Sequence, residues 1–171
     1  KILKQKDIDV AAELTVNLHM APVPEYRGCN QFSFAIINDE KYFGTTLHMI
    51  DTGVDSGDIL FERRFPILNN IDVETLYNKT FEESITLFDD NLHKIISGDY
   101  SPKTQEVKIN RKQYFYKRKD IENIKKIDLS WSKEKISRYF RATSMPGFDP
   151  PYTILNGKKI LLTLERTNEK K

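Results

Sequence analysis

A short apolar segment, Leu14 to His19, followed at once by a loop with two prolines, sets the first limit on how this chain can fold. β-Branched and aliphatic side chains favour a strand here. Pro22 and Pro24 end it, because proline cannot donate a hydrogen bond to a sheet. Side chains two residues apart on a strand point to the same side. The strand therefore presents Asn17 and His19 to one region.

A second strand and a turn-rich loop follow. Tyr42 to Ile50 is predicted as a strand, and Asp51 to Asp58 as a loop at its carboxyl end. Ligand sites in open α/β sheets lie outside the carboxyl ends of strands, so we expect this loop and the proline-containing loop to border one site. Asp55 would then add a carboxylate to Asn17 and His19.

Each of these side chains also has a structural interpretation. Asn17 can cap a turn, His19 can be a hydrogen-bonded core histidine, and Asp55 can form an Asx turn beside a glycine. The three residue types together, at this spacing, favour a catalytic site. The remaining histidines, His48 and His93, lack such partners in the sequence, and we expect them to be packing or surface residues.

Composition limits the classes of partner. The 27 basic and 25 acidic side chains give a net charge of +2, so charge does not point to nucleic acid or to a membrane. Cys29 is the only cysteine, which excludes an internal disulfide framework and favours a cytoplasmic location. No apolar run approaches the ~20 residues that a membrane helix needs. No His or Cys lies close enough to Asp51 or Asp58 for a transition-metal site, so we expect no metal.

Six short elements occur in a fixed order: Asn17, His19, Pro24, Arg27-Gly28, Gly44-Thr45-Thr46 and Asp55-Ser56-Gly57. In this order they resemble the second half of the catalytic domain of folate-dependent formyltransferases. That family includes methionyl-tRNA, glycinamide ribonucleotide and sugar-nucleotide formyltransferases. The resemblance implies an α/β fold: the C-terminal half of a Rossmann-like catalytic domain and a small α+β extension ending in a β-hairpin. It also implies that the N-terminal half of the catalytic domain is missing here.

The resemblance implies a reaction as well. A formyl group would pass from 10-formyltetrahydrofolate, the donor, to a primary amine. Asn17 and a protonated or hydrogen-bonded His19 would stabilise the oxyanion, and Asp55 would orient the imidazole and accept or relay the proton of the amine. The residues implied to contact the pterin of the donor are Asp51, Thr52, Gly53, Val54 and Asp55.

The acceptor can be ranked by the same resemblance. Arg141 to Tyr152, followed by Asn156-Gly157, resembles the segment after the catalytic domain of sugar N-formyltransferases, which favours a nucleotide-linked amino sugar. Methionyl-tRNA formylation is the alternative reaction, and a non-catalytic binding module that keeps the fold is the alternative from another class. Tyr26 and Arg27 are candidates to hold the acceptor, although an Arg-Gly turn can equally be structural. A homodimer stays open.

The rest of the chain divides at a change in composition. We expect residues 1–100 to form the catalytic part and residues 101–171 a C-terminal extension. Asp72 is predicted to cap a long helix that Gly98 ends. The apolar stripe expected to lie in the core on this helix is Val73, Leu76, Tyr77, Phe81, Ile85, Phe88, Leu92 and Ile96.

Smaller elements are predicted on either side. Cys29 to Asn38 is predicted as a short helix, Gly57 to Pro66 as a segment leading into a strand, and Ser132 as the cap of another helix. Asn156-Gly157 indicates a hairpin turn. Gln113 to Lys119 mixes aromatic and basic residues, which suits single-stranded RNA; an edge strand with a cationic face is the interpretation we prefer.

Overall fold

A three-stranded antiparallel sheet organises this computed structural model, which describes residues 3–11, 13–105 and 113–163. Strand β3 (Tyr42–Met49) lies in the centre, between β1 (Val16–His19) and β4 (Ile59–Pro66). The three predicted strands are confirmed, each with slightly shorter bounds. The fold is a mixed α/β structure, as expected.

The pairing of β1 with β3 brings polar side chains together. Asn17 lies opposite His48, two residues before His19. Because the two strands are antiparallel, their carboxyl ends point in opposite directions. The paired polar side chains lie along the two strands. The loop after β3 returns to the sheet, where the Met49 N–H donates to the Asp58 carbonyl at 2.8 Å.

Two small strand pairs complete the sheets in the described part. β2 (Tyr26–Gly28) pairs in parallel with β5 (Tyr114–Tyr116). The edge-strand interpretation of the aromatic and basic segment is therefore confirmed. β6 (Tyr152–Leu155) and β7 (Lys158–Leu161) form the predicted hairpin around Asn156-Gly157, where both residues have positive φ angles, of 50° and 74°.

The helices follow the predicted caps. Asp72 accepts a hydrogen bond from the Thr75 N–H at 2.8 Å, and Ser132 accepts one from the Lys135 N–H at 3.3 Å. Gly98 ends the long helix with a φ of 73°. In the described ranges the α-helices are α1 (Gln5–Ile8), α2 (Gln31–Ile37), α3 (Val73–Ser97), α4 (Ile121–Lys125) and α5 (Lys133–Thr143).

The long helix α3 buries a different face from the predicted one. Its buried residues are Val73, Leu76, Thr80, Ser84, Leu87 and Asn91. The core prediction is wrong for four members of the apolar stripe, which are exposed: Phe81, Ile85, Leu92 and Ile96. The small polar side chains can be buried because they are hydrogen-bonded. Thr80 donates to the Leu76 carbonyl at 2.7 Å, and Ser84 donates to Thr45 of β3 at 2.7 Å.

Later segments pack onto earlier ones. Helix α5 contacts α2, and β5 pairs with β2. The division at residue 100 stays a prediction, and residues 106–112 of the polar connection and the charged tail lie outside the described residues. Within the described ranges, no helix combines the length and the apolar character needed to cross a bilayer.

Truncating two leucines of α3 tests which face is buried. Leu76 is fully buried and Leu92 is 37% exposed. We expect Leu76→Ala to lower the free energy of unfolding by about 2–5 kcal/mol, because it opens a cavity in the core. The matched control, Leu92→Ala, should cost less than half as much. Urea denaturation measures the free energy of unfolding of both variants. Equal losses would mean that the predicted apolar stripe is buried after all.

Candidate active site

Four polar side chains converge between β1, β3 and the loop after β3. The Asp55 Oδ1 atom lies 3.4 Å from Asn17 Nδ2, 3.7 Å from His19 Nδ1 and 3.8 Å from His48 Nε2. We call Asn17, His19, His48 and Asp55 the polar cluster. The structure thus brings together the three side chains singled out from the sequence. It adds His48, so the prediction that this histidine lacks partners is wrong.

Two glycines allow Asp55 to reach the cluster. The Gly28 N–H donates to Asp55 Oδ2 at 2.9 Å. Gly28 has a φ of 90°, and a Cβ there would lie 2.2 Å from the Tyr116 carbonyl oxygen. A Cβ on Gly57 would lie 1.9 Å from the Met49 carbonyl oxygen. These close approaches explain why the end of β2 and the loop after β3 each need glycine.

The ring of His19 is fixed by a backbone carbonyl. Its Nε2–H donates to the Tyr26 carbonyl at 2.8 Å, since a carbonyl oxygen can only accept. The Nδ1 atom then faces Asp55 and can donate to it when the ring is protonated. The His19 carbonyl itself accepts from Thr45 Oγ1 at 3.0 Å. The strand and the ring are both held in place.

His48 fixes the amide of Asn17. The His48 Nδ1–H donates to the Met49 carbonyl at 2.7 Å, so Nε2 accepts from Asn17 Nδ2 at 3.2 Å. Burial lowers the pKa of His48 below its ordinary value of 6.5, and the bond to Met49 and the charge of Asp55 oppose this only in part. A neutral His48 can accept. It therefore directs the nitrogen of the Asn17 amide toward itself and Asp55.

The proline-containing loop is held by a threonine of β3. Thr46 Oγ1 donates to the Ala21 carbonyl at 2.9 Å and accepts from the Val23 N–H at 3.3 Å. Ala21 and Val23 are fully buried. These two bonds give a reason for the second threonine of the Gly44-Thr45-Thr46 element, because Thr46 anchors the loop that follows His19.

Two cavities flank the loop that carries Asp55. The Asn17 cavity, of about 420 Å³, lies beside the polar cluster. It is lined by Leu3, Asn17, His48, Ile50, Asp51, Gly53, Val54 and Asp55. The Arg27 cavity, of about 480 Å³, also borders this loop, and Val54 lines both cavities. It is lined by Pro24, Arg27, Val54, Ser56, Gln113, Tyr114 and Phe115.

Most of the residues expected to contact the donor line the Asn17 cavity. Four of the five border the Asn17 cavity, whereas Thr52 is exposed and does not line it. A cavity of about 560 Å³ between α2 and α5 includes none of the polar cluster. Its lining includes Lys41, at the start of β3, so it lies toward the opposite end of the sheet.

The two acceptor candidates lie in different surroundings. The Tyr26 phenol is 2% exposed and donates to Glu40 Oε1 at 2.8 Å, and its burial raises its pKa well above the usual range. Tyr26 therefore contacts the polar cluster through its carbonyl, which accepts from His19, and its ring lies in the core. Arg27 lines the Arg27 cavity. Its Nε and Nη2 atoms donate to Gln105 Oε1 at 2.9 and 2.6 Å.

Gln105 is a residue that the sequence analysis did not single out. Its Nε2 donates to the carbonyls of Asp55 at 2.9 Å and Gly57 at 2.7 Å. The side chain is 3% exposed. Nothing in the polar segment around it signals this contact, because it joins residues far apart in the sequence. Within the described ranges, no group of three or more His, Cys, Asp or Glu side chains could hold a metal.

The chain is similar to known proteins in sequence. The sequence model described as Formyl transferase matches residues 1–90. The methionyl-tRNA formyltransferase of Clostridium tetani is 32% identical over 106 residues, which cover 62% of this chain and 34% of that protein. The GDP-perosamine N-formyltransferase of Brucella melitensis is 26% identical over 151 residues, which cover 88% and 56%.

A solved structure resembles the chain as well. It is the N-formyltransferase from Helicobacter canadensis in complex with folinic acid and dTDP-3-aminofucose, with a TM-score of 0.77 and 30% identity. The match covers 94% of this chain and 57% of that one. The chain spans between about a third and somewhat over half of the length of the two curated relatives above.

The pKa of His48 gives a testable pH dependence. Because it is lowered below 6.5, the unfolded chain binds a proton at this residue before the folded chain does. The folded state therefore loses stability as the pH falls below 6.5, and this contribution is fully present above it. We expect His48→Gln to lose less free energy of unfolding than the wild type between about pH 7 and about pH 5.

The control for this comparison is His93→Gln, since His93 is exposed on α3. It should lose as much free energy of unfolding as the wild type over the same pH range. Urea denaturation at both pH values measures all three proteins. An equal loss in His48→Gln and the wild type would mean that the pKa of His48 is not lowered.

Proposed function

The chain belongs to the formyl transferase family, and we propose that it transfers a formyl group from 10-formyltetrahydrofolate to a primary amine on a nucleotide-linked amino sugar. One observation carries the proposal. The carboxylate of Asp55 meets the amide of Asn17 and the imidazole of His19 within 3.7 Å, beside a cavity. An oxyanion stabiliser and a proton acceptor are the two groups that this reaction requires.

The reaction forms one bond and breaks one. The lone pair of the amine attacks the formyl carbon, and the electrons of the C=O bond move to its oxygen. When that oxyanion collapses, the bond between the formyl carbon and N10 breaks. The amine loses one proton and N10 gains one, so the products are the formamide and tetrahydrofolate.

Asn17 is suited to stabilise the oxyanion. One hydrogen of its Nδ2 faces His48 at 3.2 Å, and the other faces Asp55 at 3.4 Å, the longer and weaker contact. The second hydrogen is therefore the one that an oxyanion would take over. Because His48 fixes the amide, little reorganisation is needed, which is how preorganised donors lower such barriers.

Asp55 is suited to accept the proton. Its Oδ2 atom is held by the Gly28 N–H at 2.9 Å, whereas the contacts of Oδ1 to Asn17, His19 and His48 are longer. Oδ1 is thus the oxygen available to the amine, directly or through a water. The facing Nδ1 of His19 can stabilise the carboxylate when the ring is protonated.

The two cavities suit the two substrates. We assign the donor to the Asn17 cavity, where the Val54 and Ile50 side chains and the polar groups of Asp51 can contact a flat ring that carries hydrogen-bonding edges. We assign the acceptor to the Arg27 cavity. Its guanidinium matches a phosphate, and the Phe115 ring, 53% exposed, can stack on a base.

The comparisons support both the acceptor class and its alternative. The Helicobacter canadensis structure contains folinic acid and dTDP-3-aminofucose, and the Brucella melitensis relative is a GDP-perosamine N-formyltransferase. The Clostridium tetani relative supports methionyl-tRNA formylation as a second candidate. A binding module would not need the polar cluster. We further propose a cytoplasmic location, since Cys29 is the only cysteine.

The test is acceptor-dependent release of tetrahydrofolate from 10-formyltetrahydrofolate by the full-length protein. dTDP- and GDP-linked amino sugars are compared with charged initiator tRNA. We expect release with an amino sugar. Release with tRNA alone would overturn the acceptor, and release with neither, while the donor still binds, would favour the binding module.

Replacing one carboxylate tests the proposed role of Asp55. Asp55→Asn keeps the shape and an oxygen for the Gly28 N–H but cannot accept the proton, so we expect kcat to fall by about 10²-fold or more. Asp58→Asn, three residues along the same loop, is the matched control and should keep kcat within about threefold. Near-wild-type kcat in Asp55→Asn would remove Asp55 from the mechanism.

A further inference from the structure

We propose that Gln105 is a positioning residue that joins the acceptor side of the site to the catalytic carboxylate. The inference rests on the proposed function, because it assigns Arg27 to the acceptor and Asp55 to proton removal. It adds that one buried amide sets the position of both. Loss of the amide oxygen would thus weaken acceptor binding, and loss of the amide nitrogen would slow turnover.

The Gln105 amide has no spare hydrogen-bonding group. Its Oε1 accepts from Nε and Nη2 of Arg27, at 2.9 and 2.6 Å. Its Nε2 donates to the carbonyls of Asp55 and Gly57, at 2.9 and 2.7 Å. The side chain is 3% exposed, so water cannot replace these bonds easily. The position of the amide is therefore determined from both ends.

The nitrogen end holds a backbone that would otherwise relax. Asp55 has a φ of 50°, in the left-handed region that residues other than glycine seldom occupy. Such conformations persist where surrounding contacts fix them. The bonds from Gln105 Nε2 fix the carbonyls of Asp55 and Gly57, and so direct the carboxylate toward Gly28 and Asn17.

The oxygen end holds the cation of the acceptor cavity. Both hydrogen bonds that the described residues give the Arg27 guanidinium end on Gln105 Oε1. With both bonds in place, the guanidinium is oriented where Arg27 lines the Arg27 cavity. Without it, the long arginine side chain would have to be ordered by the acceptor itself, which weakens binding.

The two ends can be separated by substitution. Gln105→Glu keeps an oxygen for Arg27 but replaces the donor to the two carbonyls with a second acceptor. Gln105→Met has a similar size and removes both ends. Arg27→Met removes only the cation. Thr104→Val, at the exposed neighbouring residue, is the control for changes in this segment.

The experiment measures kcat and the acceptor KM of the full-length protein and these variants. In Gln105→Glu, we expect kcat to fall about tenfold or more with the acceptor KM within about twofold. In Arg27→Met, we expect KM to rise about tenfold with kcat within about threefold. Gln105→Met should show both changes, and Thr104→Val neither.

Two kinetic outcomes would overturn the inference. One is wild-type kcat in Gln105→Glu. The other is a parallel change of kcat and KM in Gln105→Glu and Gln105→Met together with a lower melting temperature, which would mean that Gln105 only stabilises the fold. A wild type that transfers no formyl group to any acceptor would instead refute the proposed function.

Hydrogen exchange tests the positioning role without turnover. Peptides that cover residues 51–58 should exchange faster in Gln105→Glu and Gln105→Met than in the wild type, and at the wild-type rate in Thr104→Val. Faster exchange confined to this loop supports the inference. Unchanged exchange in both Gln105 variants would overturn it.

Discussion

The hydrogen bond from the Gly28 N–H to Asp55 Oδ2, 2.9 Å long, is the contact on which the site depends. It joins the end of β2 to the loop after β3. Because it occupies one carboxylate oxygen, the other is left facing Asn17 and His19. The glycine is required on steric grounds, since a side chain there would collide with the Tyr116 carbonyl. This backbone contact therefore determines that Oδ2 holds the carboxylate in place and that Oδ1 faces the other polar side chains.

The surrounding structure serves mainly to hold this arrangement still. Thr45 and Thr46 of β3 fix the carbonyls of His19 and Ala21, and the buried Ser84 of α3 donates to Thr45 in turn. Burial lowers the pKa of His48, and its Nε2 atom accepts a hydrogen bond from the Asn17 amide. Hydrogen bonds between buried polar residues thus connect α3, the sheet and the site.

The sequence predicted the three strands of the central sheet, the caps and the hairpin, because each depends on local chemistry such as the N-cap Asp72 or the Asn156-Gly157 turn. Strand spacing, residue type and the family resemblance also predicted that Asn17, His19 and Asp55 lie together. It missed His48 and Gln105, since both gain their partners from strand register or from contacts distant in sequence. It misjudged α3 for a related reason: apolar periodicity does not reveal which face the sheet meets when hydrogen-bonded residues such as Ser84 can be buried.

A crystal structure of the full-length protein with a stable 10-formyl folate analogue would test the central claim most directly. The account predicts the ring system in the Asn17 cavity and the formyl oxygen within about 3.2 Å of Asn17 Nδ2. It also predicts that Asp55, which lines the Asn17 cavity, lies beside the formyl group. An analogue bound elsewhere, with its formyl group out of contact with Asn17, His19 and Asp55, would contradict the account.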